Sequence, residues 1–187
     1  MGSKERILRQ KEETRINILD AAHAIVREEG WQGLNMRKIA DRIEYTAPII
    51  YEYFSNKEGI LIELARKGIL QLIKEVEAAQ NSVDDPSQRL YHMWSAFWTF
   101  AFAEKELYRV MFGVEMTCCL VNCNVEEKFS HLFYKEIEAL MQSSNPSALE
   151  IQQKYYTFFS VIHGLIAINL VRNGLQPECN QIIFEDA

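Results

Sequence analysis

Helical periodicity constrains this sequence more than any other feature. Apolar residues recur at spacings of three and four in one segment after another, beginning with Ile18, Ala22, Ile25 and Val26. This spacing places them on one face of an α-helix. Residues that break helices are scarce, since the 187 residues include 8 Gly and 4 Pro. The pattern predicts an all-α chain.

Charge is distributed unevenly along the chain. Residues 1–57 contain 10 basic and 9 acidic residues, a net charge of +1, whereas residues 58–187 contain 10 and 17, a net charge of −7. The overall charge of −6 argues against a protein that binds polyanions over its whole surface. Residues 1–57, with their net charge of +1, can nevertheless approach a polyanion.

Cysteine usage and hydropathy indicate the compartment. The four cysteines fit no disulfide framework, and the N-terminus shows no charged-then-apolar leader. The most apolar run, residues 158–171, is too short to cross a bilayer. We expect a soluble, reduced, cytoplasmic protein without a membrane partner.

The first part of the chain predicts three helices in quick succession. A helix over residues 11–29 ends at Gly30, a short helix follows with Asn35 as N-cap, and a third covers residues 47–54 after a three-residue break. Two short helices under a longer one form a helix-turn-helix, whose second helix fits a major groove about 12 Å wide. Helical bundles that bind no DNA also contain such short helices, so spacing alone leaves both interpretations open.

Local capping signals complete this part. We expect Thr46 to cap the third helix and Pro48 to lie in its first turn, with Ile50, Tyr51 and Phe54 facing inward. Ser55 and Glu58 spell a capping box that opens a long helix to about residue 79. The expected domains are a helix-turn-helix domain over residues 1–57 and a helical ligand-binding and dimerisation domain over residues 58–187.

The second part predicts further helices. Residues 81–85 read as a linker, and Asp85 and Pro86 restart a helix that is rich in aromatic residues. Residues 114–125 are expected to be irregular or short-helical. Two long helices, over residues 126–142 and 148–173, finish the chain.

Two stretches resemble a known family. Residues 36–40, Met-Arg-Lys-Ile-Ala, and residues 50–61, Ile-Tyr-Glu-Tyr-Phe-Ser-Asn-Lys-Glu-Gly-Ile-Leu, resemble the signature of the TetR family of transcriptional regulators. This resemblance extends over residues 11–65. More weakly, residues 107–112 and 159–165 resemble elements of a TetR subgroup with a Trp/His-Gly stretch. The resemblance implies a fold of about nine helices. It also implies a homodimeric regulator that binds a palindromic operator and a small organic effector.

The same resemblance implies which residues contact DNA. Ala47, Pro48 and Ile49 offer a base only apolar contacts, such as with a thymine methyl group, whereas Tyr51 carries a hydroxyl suited to phosphate. Tyr51 is alternatively a core aromatic residue. Glu52 either contacts a base or points into solvent. The implied DNA-binding residues are Arg37, Lys38, Thr46, Ala47, Pro48, Ile49, Tyr51, Tyr53 and Lys57.

Aromatic residues suggest an effector pocket in the second part. They exceed what a single core stripe needs, and a Tyr hydroxyl, a Trp N–H and an imidazole add polar groups. Ordinary core packing explains the same residues. The candidate ligand-binding residues are Trp94, Phe97, Trp98, Tyr108, Met111, Phe112, Met116 and His163.

The last two helices suggest a homodimer. The helix over residues 148–173 is apolar nearly all round, and a monomer core covers only one side of it. Two such helix pairs related by a two-fold axis would match a palindromic operator. The candidate interface residues are Phe129, Phe133, Ile137, Leu140, Tyr155, Phe158, Phe159, Ile162 and Ile166.

Other functional classes receive less support. Cys118, Cys119 and Cys123 lack the spacing of a metal site, which leaves a thiol- or metal-based sensor as a minor alternative. No nucleophile with a base, carboxylate pair or phosphate loop is seen, so we expect no enzyme, cofactor or metal. We predict a repressor that a small apolar or aromatic effector releases from DNA. The alternative is a helical ligand-binding or scaffold protein without operator binding.

Overall fold

The computed structural model describes residues 3–113, 124–142, 145–171 and 174–186, and every regular element within these residues is a helix. A 3₁₀ turn over Trp31–Gly33 follows α1. The α-helices are α1 (Ser3–Glu29), α2 (Met36–Arg42), α3 (Ala47–Tyr53), α4 (Lys57–Gln80), α5 (Pro86–Ala103), α6 (Lys105–Phe112), α7 (Asn124–Met141), α8 (Ala148–Val171) and α9 (Pro177–Asp186). The predicted all-α class is confirmed. The prediction for residues 114–125 falls almost wholly outside the described residues, although α7 already includes 124 and 125.

The chain forms two compact units that share α4. The first unit comprises Met1–Gly68 and Glu106–Asn122, and the second comprises Ile69–Lys105 and Cys123–Ala187. Within the first unit, α6 packs closely on α4, since a Cβ added at Gly68 would lie 2.5 Å from Met111 Sδ. The predicted domain boundary after Lys57 stays a prediction. The compact units divide after Gly68 instead, and the contact between Gly68 and Met111 joins α6 to the first half of α4.

The first unit has the predicted α1 stripe at its centre. Ile18, Ala22, Ile25 and Val26 are all buried, and Gly30 ends the helix with a φ of 75°, which favours glycine. Helix α1 begins earlier than predicted, because residues 3–10 also form helix although their side chains from residue 4 onward are exposed.

The structure confirms some of the predicted helix caps and corrects others. Asn35 caps α2 as predicted, since its Oδ1 accepts from Lys38 N at 3.0 Å. Thr46 occupies the N-cap position of α3, but its side chain makes no capping hydrogen bond. The predicted capping box of Ser55 is wrong, because Asn56 Oδ1 accepts from Gly59 N at 2.9 Å and α4 begins one residue later.

The second unit contains an aromatic core. The ring of Trp94 lies 4.1 Å from that of Phe133 and 6.0 Å from that of Tyr155, which joins α5, α7 and α8. Asp85 caps α5 as predicted by accepting from Gln88 N at 2.9 Å. These contacts bury one face of each of the three helices.

The length of α8 changes the prediction that no segment is long enough to cross a bilayer. It has 24 residues and, among the described helices, it alone is long and apolar enough to cross a bilayer by length and composition. Only 22% of its most apolar window is buried within the chain. A helix that packs against a partner chain has the same properties. The 14-residue apolar run was therefore too narrow a measure of this helix.

Candidate DNA-binding surface and effector site

Helices α2 and α3 form a tight helix-turn-helix. Between them, Glu44 has a φ of 59°, and Tyr45 N donates to Ala40 O at 2.9 Å. Ile39 and Ile50, one from each helix, are fully buried. This packing fixes the two helices and directs the opposite side of α3 toward solvent.

The exposed side of α3 contains most of the residues implied for base contacts. Thr46, Pro48 and Tyr51 are exposed, while Ala47, Ile49 and Tyr53 are half-buried. Tyr51 is 55% exposed. Its predicted place on the inner face is therefore wrong, and the core interpretation of this residue falls with it. Glu52 is likewise exposed.

Basic side chains on α2 are held by acidic residues at the end of α1. Lys38 Nζ forms an ion pair with Glu29, and Arg42 binds Glu28 through two hydrogen bonds of 3.0 and 2.6 Å. The Arg42 hydrogen bond lowers the pKa of the Glu28 carboxyl. Arg37 is exposed and forms no ion pair within the described residues.

Arg42 was missed in the sequence. Its signal was its spacing, because it lies four residues after Lys38 and therefore on the same face of α2. The two residues place two basic groups side by side, each with its own carboxylate partner.

Lys57 is held at the first turn of α4. Its Nζ donates to Gln32 O at 3.3 Å and lies 5.3 Å from the centre of the Trp31 ring. The N-terminus of a helix favours anions because its backbone N–H groups are unpaired. A phosphate at this position would meet both the ammonium group and the helix end.

The described candidate effector residues are divided between the two compact units. Trp94 and Phe97 are buried in the second unit, and the half-buried His163 stacks on Phe159 at 5.5 Å. Burial lowers the pKa of the His163 imidazole. Tyr108 and Met111 are buried in the first unit, where burial raises the pKa of the Tyr108 hydroxyl.

The other three candidate effector residues, Phe112, Met116 and Trp98, have different locations. Phe112 also belongs to the first unit and packs on Tyr108 at 4.8 Å, while Met116 lies outside the described residues. Trp98 lines a cavity of about 520 Å³ in the second unit, bounded by α5, the C-terminal part of α8 and α9. Its lining is Tyr91, Ser95, Trp98, Thr99, Phe102, Asn169, Leu175, Pro177, Asn180, Gln181 and Phe184. The sequence singled out only Trp98 of this set, because α9 carries no strong apolar stripe.

Most of the candidate dimer residues belong to the chain's own core. The buried ones are Phe129, Phe133, Ile137, Tyr155, Ile162 and Ile166. Their side chains pack inside the second unit, where α5, α7 and α8 meet. Phe158 and Phe159 are half-buried, and Leu140 is 44% exposed. The larger exposed apolar residues on α8 are Leu149, Tyr156, Ile168 and Val171.

No metal centre accompanies these features within the residues that the structure describes, where no group of three His, Cys, Asp or Glu side chains could hold a metal ion. Cys118, Cys119 and Cys123 lie outside those residues, and Cys179 is exposed.

Helices α1 to α3, with an exposed side on the second helix of the turn, form the helix-turn-helix arrangement that is used by a class of DNA-binding proteins. Residues 18–64 match the family model of the bacterial regulatory proteins of the tetR family. The match lies over the same part of the chain as the motifs around Met36 and Tyr51, so the predicted resemblance to this family is confirmed for residues 18–64.

Two transcriptional regulators also match parts of the chain. The transcriptional activator FasR of Mycolicibacterium smegmatis is 28% identical over 102 residues, which cover 54% of this chain and 47% of FasR. The transcriptional repressor KstR of Mycobacterium tuberculosis is 30% identical over 81 residues, covering 43% of this chain and 37% of KstR. The matched region thus spans less than half the length of these relatives. Both relatives are transcriptional regulators by name.

A solved structure shows the same fold along nearly the whole chain. FadR of Bacillus subtilis, in complex with stearoyl-CoA, superposes with a TM-score of 0.71. The match has 19% sequence identity and covers 91% of this chain and 95% of that one. The C-terminal helices therefore share the fold of this solved structure.

Proposed function

We propose that this chain is a transcriptional repressor that binds a palindromic operator as a homodimer and is released by a small apolar or aromatic effector. The observation that carries the proposal is the exposed recognition helix α3, set in a unit whose residues 18–64 match the TetR family. Because bacterial operators lie in the cytoplasm, we also propose a cytoplasmic location.

DNA contact would combine base and phosphate groups. Thr46 and Pro48 at the start of α3 would meet base edges, and Tyr51 and Arg37 would meet phosphates. Tyr51 and Arg37 are both exposed, and Arg37 forms no ion pair within the described residues that a phosphate would have to break. Lys38 would reach a phosphate only after leaving Glu29.

A dimer would use the outer face of α8. Leu149, Tyr156 and Val171 are 73%, 51% and 78% exposed along this face, and nothing lies within 4 Å of a Cβ added at Gly164. Apolar residues at this spacing on one helix require cover. Two copies related by a two-fold axis would supply it, with Gly164 allowing the helices to approach closely.

The effector would act through the second unit. The FadR complex holds stearoyl-CoA, an apolar acyl chain on a charged carrier, and by likeness we propose an effector with an apolar body. Helix α4 is continuous from the first unit into the second, which makes it the proposed path of coupling. The effector must bind the DNA-incompetent state more tightly, because equal affinity shifts no population.

Operator binding tests this function directly. Fluorescence anisotropy with a palindromic duplex from upstream of the chain's own gene should show specific binding that weakens steeply with salt. Arg37→Ala should weaken that binding, whereas Arg66→Ala on α4, which pairs with Glu63, serves as the control for a lost surface charge. A chain that binds this duplex no better than random DNA would favour the ligand-binding or scaffold alternative.

Release is tested with two classes of compound. Fatty acyl-CoA thioesters and uncharged aromatic compounds should be added separately to the preformed complex. Release by either class supports an effector-controlled repressor. A complex that resists both classes at saturating concentrations would contradict the effector part of the proposal.

A further inference from the structure

The cavity under α9, whose lining is given above, lies on the side of α5 that faces away from the aromatic core. Trp94, Phe97 and Ala101 are buried on the core side of α5, whereas Tyr91, Trp98 and Phe102 line the cavity. Helix α5 therefore has two aromatic faces. Only the first is used for packing against α7 and α8.

Helix α9 is attached over this second face by specific hydrogen bonds. Asn169 on α8 and Asn180 on α9 exchange two amide hydrogen bonds of 2.8 and 3.1 Å. Asn169 also donates to Leu165 O and accepts from Leu175 N. All four hydrogen-bonding positions of the Asn169 amide are thereby used. Leu175 and Asn180 are thus tied to α8.

Little apolar contact closes the space beneath α9. None of its residues is fully buried, and Phe184 meets Tyr91 and Trp98 edge-on, with ring centres 5.6 and 5.9 Å apart. The helix is tied to α8 through Asn180 and contacts rings of α5 through Phe184. A volume of about 520 Å³ therefore remains between fixed walls, within the usual range of about 300–1,000 Å³ for ligand sites.

The lining specifies the chemistry of an occupant. It contains four aromatic rings and no Lys, Arg, His, Asp or Glu side chain. Ser95 and Thr99 donate their hydroxyl hydrogens to carbonyls of their own helix at 2.8 and 2.9 Å, which leaves their lone pairs as acceptors. A phosphate or carboxylate would find no cation here. A flat ring with a donor group would stack on the aromatic rings and donate to these hydroxyls.

We propose that the cavity under α9 binds an uncharged ring compound that carries a hydroxyl group. The inference rests on the proposed function only in naming this compound as an effector; the binding itself depends on the cavity alone. An acyl-CoA would leave its phosphates outside this site.

Calorimetric titration of the full chain with 2-naphthol tests the site. We expect saturable binding of one molecule per chain. Thr99→Trp places a large ring at an exposed position of the lining and should weaken binding at least tenfold. Ser87→Trp, also exposed on α5 but outside the lining, should bind as the unmodified chain does.

A charged analogue gives a second measurement that needs no variant. Because no cation lines the cavity, 2-naphthoate should bind at least tenfold more weakly than 2-naphthol. Absence of saturable 2-naphthol binding, equal binding by Thr99→Trp, or equal binding of the two compounds would overturn the inference. Operator affinity is measured separately, so saturable 2-naphthol binding by a chain that ignores its operator would refute the proposed function alone.

Discussion

The ion pair between Lys38 and Glu29 should oppose DNA binding. Lys38 lies on α2 next to Arg42, and both basic groups are held by carboxylates from the end of α1. A phosphate can recruit Lys38 only by replacing Glu29. Glu29→Gln removes that competitor and the negative charge it would bring near the DNA backbone. We therefore expect Glu29→Gln to bind the operator more tightly.

The expected gain follows from exposure. The side chains of Lys38 and Glu29 are 42% and 41% exposed, so solvent screens the pair. Such pairs are worth about 0–1 kcal/mol, and 1 kcal/mol corresponds to about a fivefold change in affinity. Operator affinity should rise by up to about fivefold. The slope of log K against log[salt] should steepen by up to about one unit as one more phosphate is neutralised.

The assay is fluorescence anisotropy with the operator duplex over a salt series. Glu12→Gln is the matched control, since it makes the same charge change at an exposed position of the same helix. The excess of Glu29→Gln over this control measures the local competition. A Glu29→Gln chain that binds no more tightly than Glu12→Gln would refute the argument that Lys38 must leave Glu29 to contact DNA.

Three further outcomes are expected. Lys57→Ala should weaken binding to all duplexes alike and reduce the salt slope by about one unit, and an unchanged slope in the anisotropy series would show that the start of α4 does not face DNA. Gly164→Leu should leave the chain folded, because nothing lies within 4 Å of a Cβ there, but should weaken the dimer at least tenfold by analytical ultracentrifugation; an intact dimer would place the interface elsewhere. Burial lowers the pKa of His163 below its value of 6.5 in the unfolded chain. The folded chain should therefore keep its full stability above pH 6.5 and lose stability as the pH falls from 6.5 toward the lowered pKa, because only the unfolded chain then gains the proton. The melting temperature of His163→Gln should fall less over this pH range than that of the unmodified chain. An equal fall in both chains would contradict the effect.

The amino-acid sequence by itself determined the helices and several of their ends. The stripe from Ile18 to Val26 is a property of consecutive turns, and the caps of Asn35 and Asp85 depend on a side chain and an N–H three residues later. Such interactions lie within one turn of helix. The motif around Tyr51 indicated the family for a related reason, since the turn and its neighbours are contiguous in the chain.

Tertiary structure alone decided which apolar face is covered and which basic group is paired. Ile162 and Ile166 share the apolar character of Leu149 and Val171, yet the first two are buried in the chain and the last two are exposed. Periodicity cannot distinguish them, because both faces of α8 are apolar and only the position of α5 and α7 selects one. The Glu28–Arg42 pair and the cavity under α9 likewise join side chains from different helices, whose meeting depends on packing rather than on local spacing.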